Sequence, residues 1–503
     1  MTPEITKTEA AGGALPTYMW VLLAVLVVFV YMFGLNLPLL GPDEPRYAQV
    51  AREMFERGDW VTPTLGGFHW FEKPALLYWL QITFYHIFGV SEFAARFGSA
   101  LFGLGTIASL WVLGKKAYKP EAGSFANYLA LIAATSLGIL VFARGASFDI
   151  IVTFPMTAAM VSFFIFDRAT ENTWRKKYLP LALFYFFIGV SLIAKGLIGI
   201  LFPFAIVAFY HLLEWRLPSR ALLASLLWGT LLATAVAAIW YSPMYQRNGW
   251  EFIDEFIIQH HFQRYSSNKY QHPQPFIFFF WVLPLMTFPW VPFFFRGFWN
   301  SINAAFNRRA GQIQHASSLL RFSFAWLLVP VVFFSMSGSK LPGYILPAVP
   351  AAIILTAFFV FGLVQKSIKW QKIVVTTVVT TLISIVALLI FVVPKFAEAD
   401  SVRSLIADAN ARGFSEQRVF MVYTLSHNAE FYAPGRLLRD DNGKQRTFYH
   451  VEDLLPYLAR ENGRAALVLV PIEHLAVLTK DSRIAAQVLK DNTELAIVEL
   501  MIK

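Results

Sequence analysis

The sequence contains no cysteine, and that absence removes several kinds of chemistry at once. A chain without thiols has no disulfide framework, no thiolate metal ligand and no cysteine nucleophile. The sequence also has neither a Walker phosphate loop nor a dinucleotide-binding glycine fingerprint. It therefore indicates no nucleotide cofactor and argues against a nucleotide-driven reaction.

Charged residues are scarce as well, at 15% of 503 residues, against roughly a quarter in soluble domains. Hydrophobic residues make up 57% of the chain, and apolar runs long enough to cross a bilayer core about 30 Å thick recur along it. The net charge of +10 does not predict nucleic-acid binding, because basic residues gather at the ends of apolar segments. The composition excludes an ordinary soluble enzyme and predicts a polytopic α-helical membrane protein.

Eleven segments are long enough, or nearly so, to cross a membrane. They are 18–40, 94–113, 125–142, 150–166, 178–193, 197–213, 221–240, 276–295, 319–334, 344–364 and 373–393. The first exceeds the apolar region of a signal peptide and is followed by no small-residue cleavage site, so we expect a retained span. Segment 75–88 has only fourteen residues and suits a re-entrant or interfacial helix.

The basic residues select a topology. If 75–88 does not cross and the N-terminus is cytoplasmic, every short basic loop falls on the cytoplasmic side, as the positive-inside rule requires. The residues concerned are Lys115, Lys116, Lys119, Arg168, Arg175, Lys176, Lys177, Arg216, Arg220, Arg308, Arg309, Lys366, Lys369 and Lys372. This predicts a multi-pass protein of the bacterial inner membrane, with loop 41–93 and everything after residue 394 in the periplasm.

The last part of the chain changes character. From residue 395 the composition resembles a soluble domain; 418–425, 464–471 and 493–503 are typical of strands, and 451–460 of a helix. We therefore predict a transmembrane domain over 1–394, including the periplasmic loop 41–93 with juxtamembrane helices, and a small periplasmic α/β domain over 395–503.

A pair of carboxylates, Asp43 and Glu44, follows the first apolar segment in "LLGPDEPRYAQVAREMFERGDW". Apolar residues at helical spacing after them predict an amphipathic helix along the membrane surface. Asp43 has a structural interpretation as a helix N-cap and a functional one as an acid at a site mouth. Both stay open from the local sequence.

Other charged residues stand beside apolar segments. In "FHWFEKPALLYW", Glu72 and Lys73 form either a surface ion pair or a site at which Lys73 contacts a phosphate; Arg96 opens the second span. Asp149 in "ARGASFD" and Lys195 in "AKGL" fall on the same predicted side. A lysine at membrane depth needs a partner or a polar cavity, unless it extends to the interface.

Two further periplasmic stretches carry polar residues. The loop "QHHFQRYSSNKYQHPQP" contains His261 and Arg264 but no tight two-histidine metal motif. The turn "SGSKLPGYILP" places Lys340 and Tyr344 at a helix start. Cations, carboxylates and aromatic residues thus collect on one predicted membrane face. Cations suit a lipid-linked phosphate, and aromatic residues suit sugar faces and acyl chains.

Taken together, "PDEPRYAQVAREMFERGDWVTPTLGG", "WFEKPALLYW", "FD", "AKG", "HHFQRY" and "SGSKLPGYILP" resemble the aminoarabinose transferase family. That family is a branch of the protein O-mannosyltransferase-like superfamily of C-type polytopic glycosyltransferases. The resemblance covers nearly all of 18–350 and thins afterwards. It implies transfer of 4-amino-4-deoxy-L-arabinose from undecaprenyl phosphate to a lipid A phosphate, which confers resistance to polymyxin and cationic peptides.

The resemblance also implies roles for individual residues. It makes Asp43, Asp149 and Lys195 catalytic, and it links Glu72 and His261 to a divalent metal ion. The family's carrier-phosphate contacts match Lys73, Arg264 and Tyr344. We add the charged residues Glu44, Arg96 and Lys340 as candidates for substrate binding. Trp70 departs from the tyrosine common in relatives. A monomer is expected, with no nucleic-acid partner.

Two alternatives remain from the sequence. The same carrier-linked chemistry could modify a protein or another glycan. A lipid transporter or flippase is the alternative of another class. The sequence shows neither an inverted repeat nor paired broken helices, which argues against it. Neither the sugar nor the acceptor is determined by these residues.

Overall fold

The computed structural model describes residues 15–117, 122–263, 273–306, 314–461 and 465–503. The helices, in chain order, are α1 (Thr17–Met32), α2 (Asp43–Arg57), α3 (Leu76–Phe88), α4 (Glu92–Ala117), α5 (Ala122–Thr135), α6 (Leu137–Ala143), α7 (Phe148–Asp167), α8 (Leu179–Lys195), α9 (Ile198–Glu214), α10 (Arg220–Phe252), α11 (Phe278–Met286), α12 (Val291–Phe306), α13 (Gln314–Ser335), α14 (Val349–Val364), α15 (Ile368–Phe391), α16 (Val393–Asp400), α17 (Arg403–Ala411), α18 (Asn428–Tyr432), α19 (Val451–Ala459) and α20 (Leu475–Thr479). π-Helical turns cover Trp174–Tyr178 and Ile253–Gln263, and 3₁₀ turns cover Pro342–Ala348 and Ile472–His474. The strands are β1 (Thr64–Leu65), β2 (Phe68–His69), β3 (Val419–Val422), β4 (Thr447–Phe448), β5 (Ala466–Pro471), β6 (Ile484–Asp491) and β7 (Leu495–Ile502).

The prediction of a polytopic helical membrane protein is confirmed. Within the described ranges, seven helices are long and apolar enough to cross a membrane, and two bent helix pairs raise the number to nine if each pair is one span. The seven are Glu92–Ala117, Phe148–Asp167, Trp174–Lys195, Arg220–His260, Ser318–Ser335, Pro342–Val364 and Ile368–Phe391. α1 and α9 are apolar but shorter, so the total of eleven stays a prediction.

Two of the predicted spans are broken rather than straight, so the expectation that paired broken helices are missing is wrong. α5 and α6 meet at 60°, and α11 and α12 meet at 116°. The two breaks complement each other, because Leu137 N–H donates to the carbonyl of Phe288 at 2.9 Å and the Trp290 indole donates to Thr135 Oγ1 at 3.0 Å. Non-helical backbone at membrane depth needs such internal partners, since lipid offers none.

The chain folds into two compact units that are discontinuous in sequence. The first comprises the described parts of Met1–Phe33, Glu72–Leu77 and Gly98–Val386. Inside it α7 packs on α8, α8 on α10, α9 on α13, and α14 on α12 and α5. α7 is almost wholly buried, which makes it the central helix of this unit.

The second unit comprises Gly34–Phe71, Tyr78–Phe97 and Ala387–Lys503. Its five-stranded sheet has the order β4-β3-β5-β7-β6, with β3 parallel to β4 and β5, and β7 antiparallel to β5 and β6. Alternate residues of β5 enter two hydrophobic clusters: Val468 and Val470 lie in one, and Leu467 and Leu469 in the other. A sheet covered on both faces explains the nearly continuous apolar strand in the sequence.

The three predicted strands and the predicted helix of this domain are present as β3, β5, β7 and α19. Sequence reasoning missed β4 and β6. β4 has only two residues, and β6 reads "IAAQVLKD", with a register irregularity between Val488 and Lys490. Polar edge strands of this kind carry a weak periodic signal.

The first long loop, apart from Glu72–Leu77, belongs to the second unit by its contacts. α2 packs on α18, and the Tyr432 hydroxyl donates to Glu92 Oε1 at 3.1 Å while it accepts from Leu39 N–H at 2.9 Å. Burial, and then the Glu92 carboxylate, raise the pKa of Tyr432 above its usual range, so the hydroxyl keeps its proton at neutral pH. The domain boundary placed between residues 394 and 395 from the sequence stays a prediction.

A hairpin of β1 and β2 follows α2 and was not predicted. Glu53 of α2 accepts hydrogen bonds from the backbone N–H groups of Gly66, at 2.6 Å, and Gly67, at 3.2 Å. Arg439 lies against Gly66, where a β-carbon would overlap its guanidinium group. That guanidinium pairs with Glu430, a carboxylate that is 4% exposed, and donates to Gly443 O at 2.8 Å. The Arg439 guanidinium of the C-terminal domain therefore packs closely against the hairpin at Gly66.

Substituting the hairpin glycines tests this contact. Both have positive φ angles, 62° at Gly66 and 83° at Gly67, so alanine costs backbone strain of about 1–2 kcal/mol at each. Gly66→Ala must also displace Arg439 from Glu430, and disturbing a buried pair raises the expected loss to about 3 kcal/mol or more.

Gly67→Ala is the matched control, because open space surrounds a β-carbon at that position. The measurement is chemical unfolding of the purified protein in detergent, monitored by circular dichroism. Equal losses for the two variants would contradict the Arg439 contact.

Candidate functional site

An ion pair between Asp149 and Lys195 organises the polar end of the first unit. Asp149 lies in the first turn of α7, where the Ser147 hydroxyl caps the helix by accepting from Asp149 N–H at 3.2 Å. Lys195 is the last residue of α8 and precedes Gly196, whose φ of 74° ends that helix. A carboxylate at a helix start and an ammonium at a helix end each suit the local dipole.

Tyr344 and Gly343 complete this group. The Lys195 ammonium lies 5.3 Å from the centroid of the Tyr344 ring, a cation–π distance. The Asp149 carboxylate rests against Gly343, where a β-carbon would overlap it and would approach the Phe142 ring at 2.8 Å. Only glycine leaves room for that carboxylate.

A cavity of about 370 Å³ opens beside the ion pair. Its polar lining residues are Glu72, Lys73, Lys195, His260, Ser337 and Tyr344. The rest of the lining is apolar and aromatic and consists of Pro74, Leu197, Ile198, Leu201, Phe256, Phe262, Phe333 and Phe334. Lysines in the lining of a mostly apolar cavity suit an amphipathic ligand with an anionic head group.

The structure therefore brings together five of the residues singled out in the sequence: Glu72, Lys73, Asp149, Lys195 and Tyr344. Lys73 and Glu72 line the cavity, which is the geometry that the phosphate-contact interpretation needs. The ion pair also resolves how Lys195 is accommodated, since it is paired within the protein. Their functional roles stay predictions.

Lys340 is held by backbone rather than by a carboxylate. Its ammonium donates to Ser337 O at 2.6 Å and to Gln274 O at 3.0 Å, and the residue is only 6% exposed. It is absent from the described lining of the cavity. These contacts fix the turn that leads to Gly343 and Tyr344.

Glu44 and Arg96 form a buried pair in the second unit. The Arg96 guanidinium, 4% exposed, donates to both Glu44 oxygens, at 3.1 Å and 2.6 Å, and to Leu35, Leu37 and Pro38 carbonyls. Since these bonds occupy the five N–H donors of a guanidinium, they support a structural role in holding the chain that precedes α2. Substrate binding by this pair stays a prediction.

Asp43, in the same unit, has a more exposed position. It is the first residue of α2 rather than the N-cap, which is Pro42, and it pairs with Arg46 one turn later. Its side chain is 53% exposed, so the carboxylate can meet a ligand. The N-cap interpretation of Asp43 is therefore wrong, and its functional interpretation stays a prediction.

The predicted metal ligands are only partly described. Glu72 lines the cavity, His261 lies in the π-helical turn but its side chain is outside the described residues, and Arg264 is outside them too. Over the described part of the chain there is no group of three or more His, Asp or Glu side chains placed to hold a metal ion. The described donors alone do not make a metal site.

Sequence reasoning missed several residues of the site. His260 contributes an imidazole to the cavity lining, and Phe256, Phe333 and Phe334 form an apolar wall. These phenylalanines carried no distinguishing signal among 49 in the chain. Gly343 had one weak signal, because a glycine in a turn allows another group to approach the backbone closely.

The sequence is similar to known glycosyltransferases. The family model described as dolichyl-phosphate-mannose-protein mannosyltransferase matches residues 18–246. The undecaprenyl phosphate-α-4-amino-4-deoxy-L-arabinose arabinosyl transferase of Aeromonas salmonicida is 31% identical over 328 residues, 64% of this chain and 56% of that protein. The Yersinia pestis protein of the same name is 30% identical over 379 residues, 74% of this chain and 64% of that protein. The chain thus spans about six tenths of the length of these curated relatives.

Solved structures share the fold. The crystal structure of ArnT from Cupriavidus metallidurans bound to undecaprenyl phosphate superposes with a TM-score of 0.75 over 96% of this chain and 98% of that chain, at 21% identity. The apo structure of the same protein gives the same TM-score. The C-type glycosyltransferase fold predicted from the sequence is confirmed by this likeness.

A double-mutant cycle measures the central ion pair. Lys195→Met and Asp149→Asn should each lower the free energy of unfolding in detergent by about 2 kcal/mol, because each leaves a mostly buried partner unpaired. The double variant should lose clearly less than the sum of the two, by about 1–2 kcal/mol.

Lys176→Met is the control for removing a lysine charge, because Lys176 and Glu171 form an exposed pair worth little. Additive losses at residues 149 and 195 would show that the two side chains do not depend on each other.

Proposed function

We propose that this chain belongs to the family of the undecaprenyl phosphate-aminoarabinose arabinosyl transferases, to which it is similar in sequence and fold. From that premise we propose that it is a polyprenyl-phosphate-dependent glycosyltransferase. The sugar we propose is 4-amino-4-deoxy-L-arabinose, the donor its undecaprenyl phosphate, and the acceptor a phosphate of lipid A. The enzyme would work in the inner membrane with its site facing the periplasm. The modified lipid A would make the cell resistant to polymyxin and cationic peptides.

The observation that carries the proposal is the cavity beside the Asp149–Lys195 pair. A polyprenyl phosphate has a long apolar tail and a compact anionic head. Phe256, Phe333 and Phe334 supply apolar surface in the cavity, while Lys73 and Lys195 supply positive charge in it. A low-dielectric wall strengthens the attraction between those ammonium groups and a phosphate.

The proposed reaction is a displacement at the anomeric carbon of the sugar. An oxygen of the acceptor phosphate donates an electron pair to form the new carbon–oxygen bond. The bond to the donor phosphate breaks, and undecaprenyl phosphate leaves with that electron pair. Negative charge grows on the leaving phosphate, so cations already in place lower the barrier. Because the acceptor is anionic, the step needs little help from a general base.

Residue roles follow from position. Lys73 and Lys195 neutralise the leaving phosphate, with Arg264 as a predicted third cation. Asp149 positions Lys195 through the ion pair, and Tyr344 packs its ring against the same ammonium. We propose that Asp43 orients the sugar or balances its ammonium group. A divalent ion bound by Glu72 and His261 remains part of the proposal, and no step is assigned to it.

A second candidate acceptor is a protein hydroxyl. It is favoured by the match to a family described as protein mannosyltransferases over 18–246. A neutral hydroxyl must lose its proton as it attacks, so an acid such as Asp43 would then act as general base. Donor and leaving group would be unchanged.

Mass spectrometry of lipid A tests the proposal. A strain that lacks the protein should lose the pentosamine adduct on lipid A, and the wild-type gene should restore it. Lys73→Ala should fail to restore it at normal protein levels, since loss of one charge-stabilising donor costs roughly 100- to 1,000-fold in rate. Asp149→Asn should also fail, because Lys195 then loses the carboxylate that positions it. Unchanged lipid A with altered glycoproteins would favour the second acceptor. The same transfer in purified form, with and without a chelator, tests the metal ion.

Gly343→Ala separates site geometry from stability. The new methyl group must push the Asp149 carboxylate or the Phe142 ring aside, and a displacement near 1 Å at reacting groups can cost about 100-fold in rate. We expect transfer activity to fall by that order while the detergent-purified protein keeps its folded spectrum.

Gly362→Ala is the control, since Gly362 lies in α14 with nothing near a new β-carbon. It should leave activity unchanged and raise helix stability slightly. Full activity in Gly343→Ala would remove Asp149 from the working site.

A further inference from the structure

An apolar groove of about 410 Å³ lies between α1, α4 and α5 in the first unit, apart from the cavity described above. Small side chains, Ala24, Ala108 and Ala130, leave space between the three helices. Trp20 and Trp111 contribute large indole rings to its lining. The proposed transfer reaction uses none of these residues.

Both indole rings are held in place. The Trp111 indole N–H donates to Asn127 Oδ1 at 2.9 Å, so its ring is tied to α5. Trp20 meets the Tyr128 ring edge-on, with 5.3 Å between the ring centroids. The groove is therefore preformed, and a ligand that enters it need not order these side chains.

One end of the groove carries positive charge. Lys115 lies one turn beyond Trp111 on α4, and its ammonium is 5.0 Å from the centroid of the Trp111 ring. Lys116 follows it, and both lysines are exposed in the last turn of α4. Tryptophan and lysine at the end of a membrane-spanning helix mark the level of lipid head groups.

We infer that this groove is a binding site for an anionic glycerophospholipid. One acyl chain lies along Ala24, Ala108 and Ala130, and the head-group phosphate meets Lys115 and Lys116. The apolar lining selects for a hydrocarbon chain, and the two ammonium groups select for net negative charge. A zwitterionic lipid with the same chains makes the same apolar contacts but gains less from the lysines.

A helix from a second copy fits this surface less well. A helix with its side chains is about 10 Å across, so the two turns facing Leu104–Trp111 would fill roughly twice the volume of the groove. Two copies that meet here would also bring like charges at Lys115 and Lys116 together. A single flexible chain with an anionic head satisfies both the shape and the charge.

Native mass spectrometry of the delipidated full-length protein tests the inference. The protein is titrated with phosphatidylglycerol or with phosphatidylcholine of identical acyl chains, at low ionic strength. We expect phosphatidylglycerol to bind more tightly. Lys115→Gln/Lys116→Gln should weaken its binding roughly 20- to 30-fold, which corresponds to about 1 kcal/mol per lysine at an anionic lipid surface. Ala108→Phe, which fills the groove, should weaken the binding of both lipids at this site.

Lys366→Gln/Lys369→Gln is the control, since it removes the same charge from exposed lysines. Lys366 lies between α14 and α15 and Lys369 in the first turn of α15, and neither is in the groove lining. A photoreactive phosphatidylglycerol should label peptides of α1, α4 and α5 in the wild type and lose that labelling in Ala108→Phe. The inference is overturned if the two lysine pairs behave alike, if the two lipids bind equally, or if Ala108→Phe dissociates a dimer instead. The inference would also be overturned if undecaprenyl phosphate, but not unlabelled phosphatidylglycerol, displaced the photoreactive lipid from these peptides.

Discussion

The Asp149–Lys195 ion pair is the interaction on which the rest of the first unit depends. Both side chains are mostly buried, and a buried charge without a partner carries a large desolvation cost. Together, at the start of α7 and the end of α8, they also fit the dipoles of those helices. The pair therefore fixes the relative register of two helices and leaves an ammonium group at the edge of an apolar cavity.

The absence of water in the lipid also explains why the two broken spans pair with each other. Each break between α5 and α6 and between α11 and α12 exposes backbone groups that lipid cannot satisfy. The structure pairs one break with the other through Leu137, Phe288, Thr135 and Trp290. Irregular backbone is thus possible inside this unit only because a second irregularity lies beside it.

In the second unit, buried ion pairs and hydrogen bonds hold the polar loop after α1 in a fixed conformation. Arg96 donates to Glu44 and to three carbonyls, and Glu53 accepts from two glycine amides. Arg439 pairs with Glu430 and packs against the hairpin. Each charged group is matched by several hydrogen bonds, which is the condition under which buried charge is tolerated. Glu44 and Arg96 are singled out by charge in the sequence, and this arrangement accounts for them without a ligand.

The sequence by itself determined the class of the protein, because apolar length and the position of basic residues depend only on local composition. It also determined most of the C-terminal strands, whose buried runs are continuous in sequence, and it identified Asp149, Lys195, Lys73 and Tyr344 as notable. Only the tertiary structure decided which of them meet. Asp149 and Lys195 are 46 positions apart, and no periodicity encodes a contact between the ends of two antiparallel helices. The helix breaks, the hairpin and the need for glycine at 343 were likewise decided by packing, since each depends on an atom contributed from a distant part of the chain.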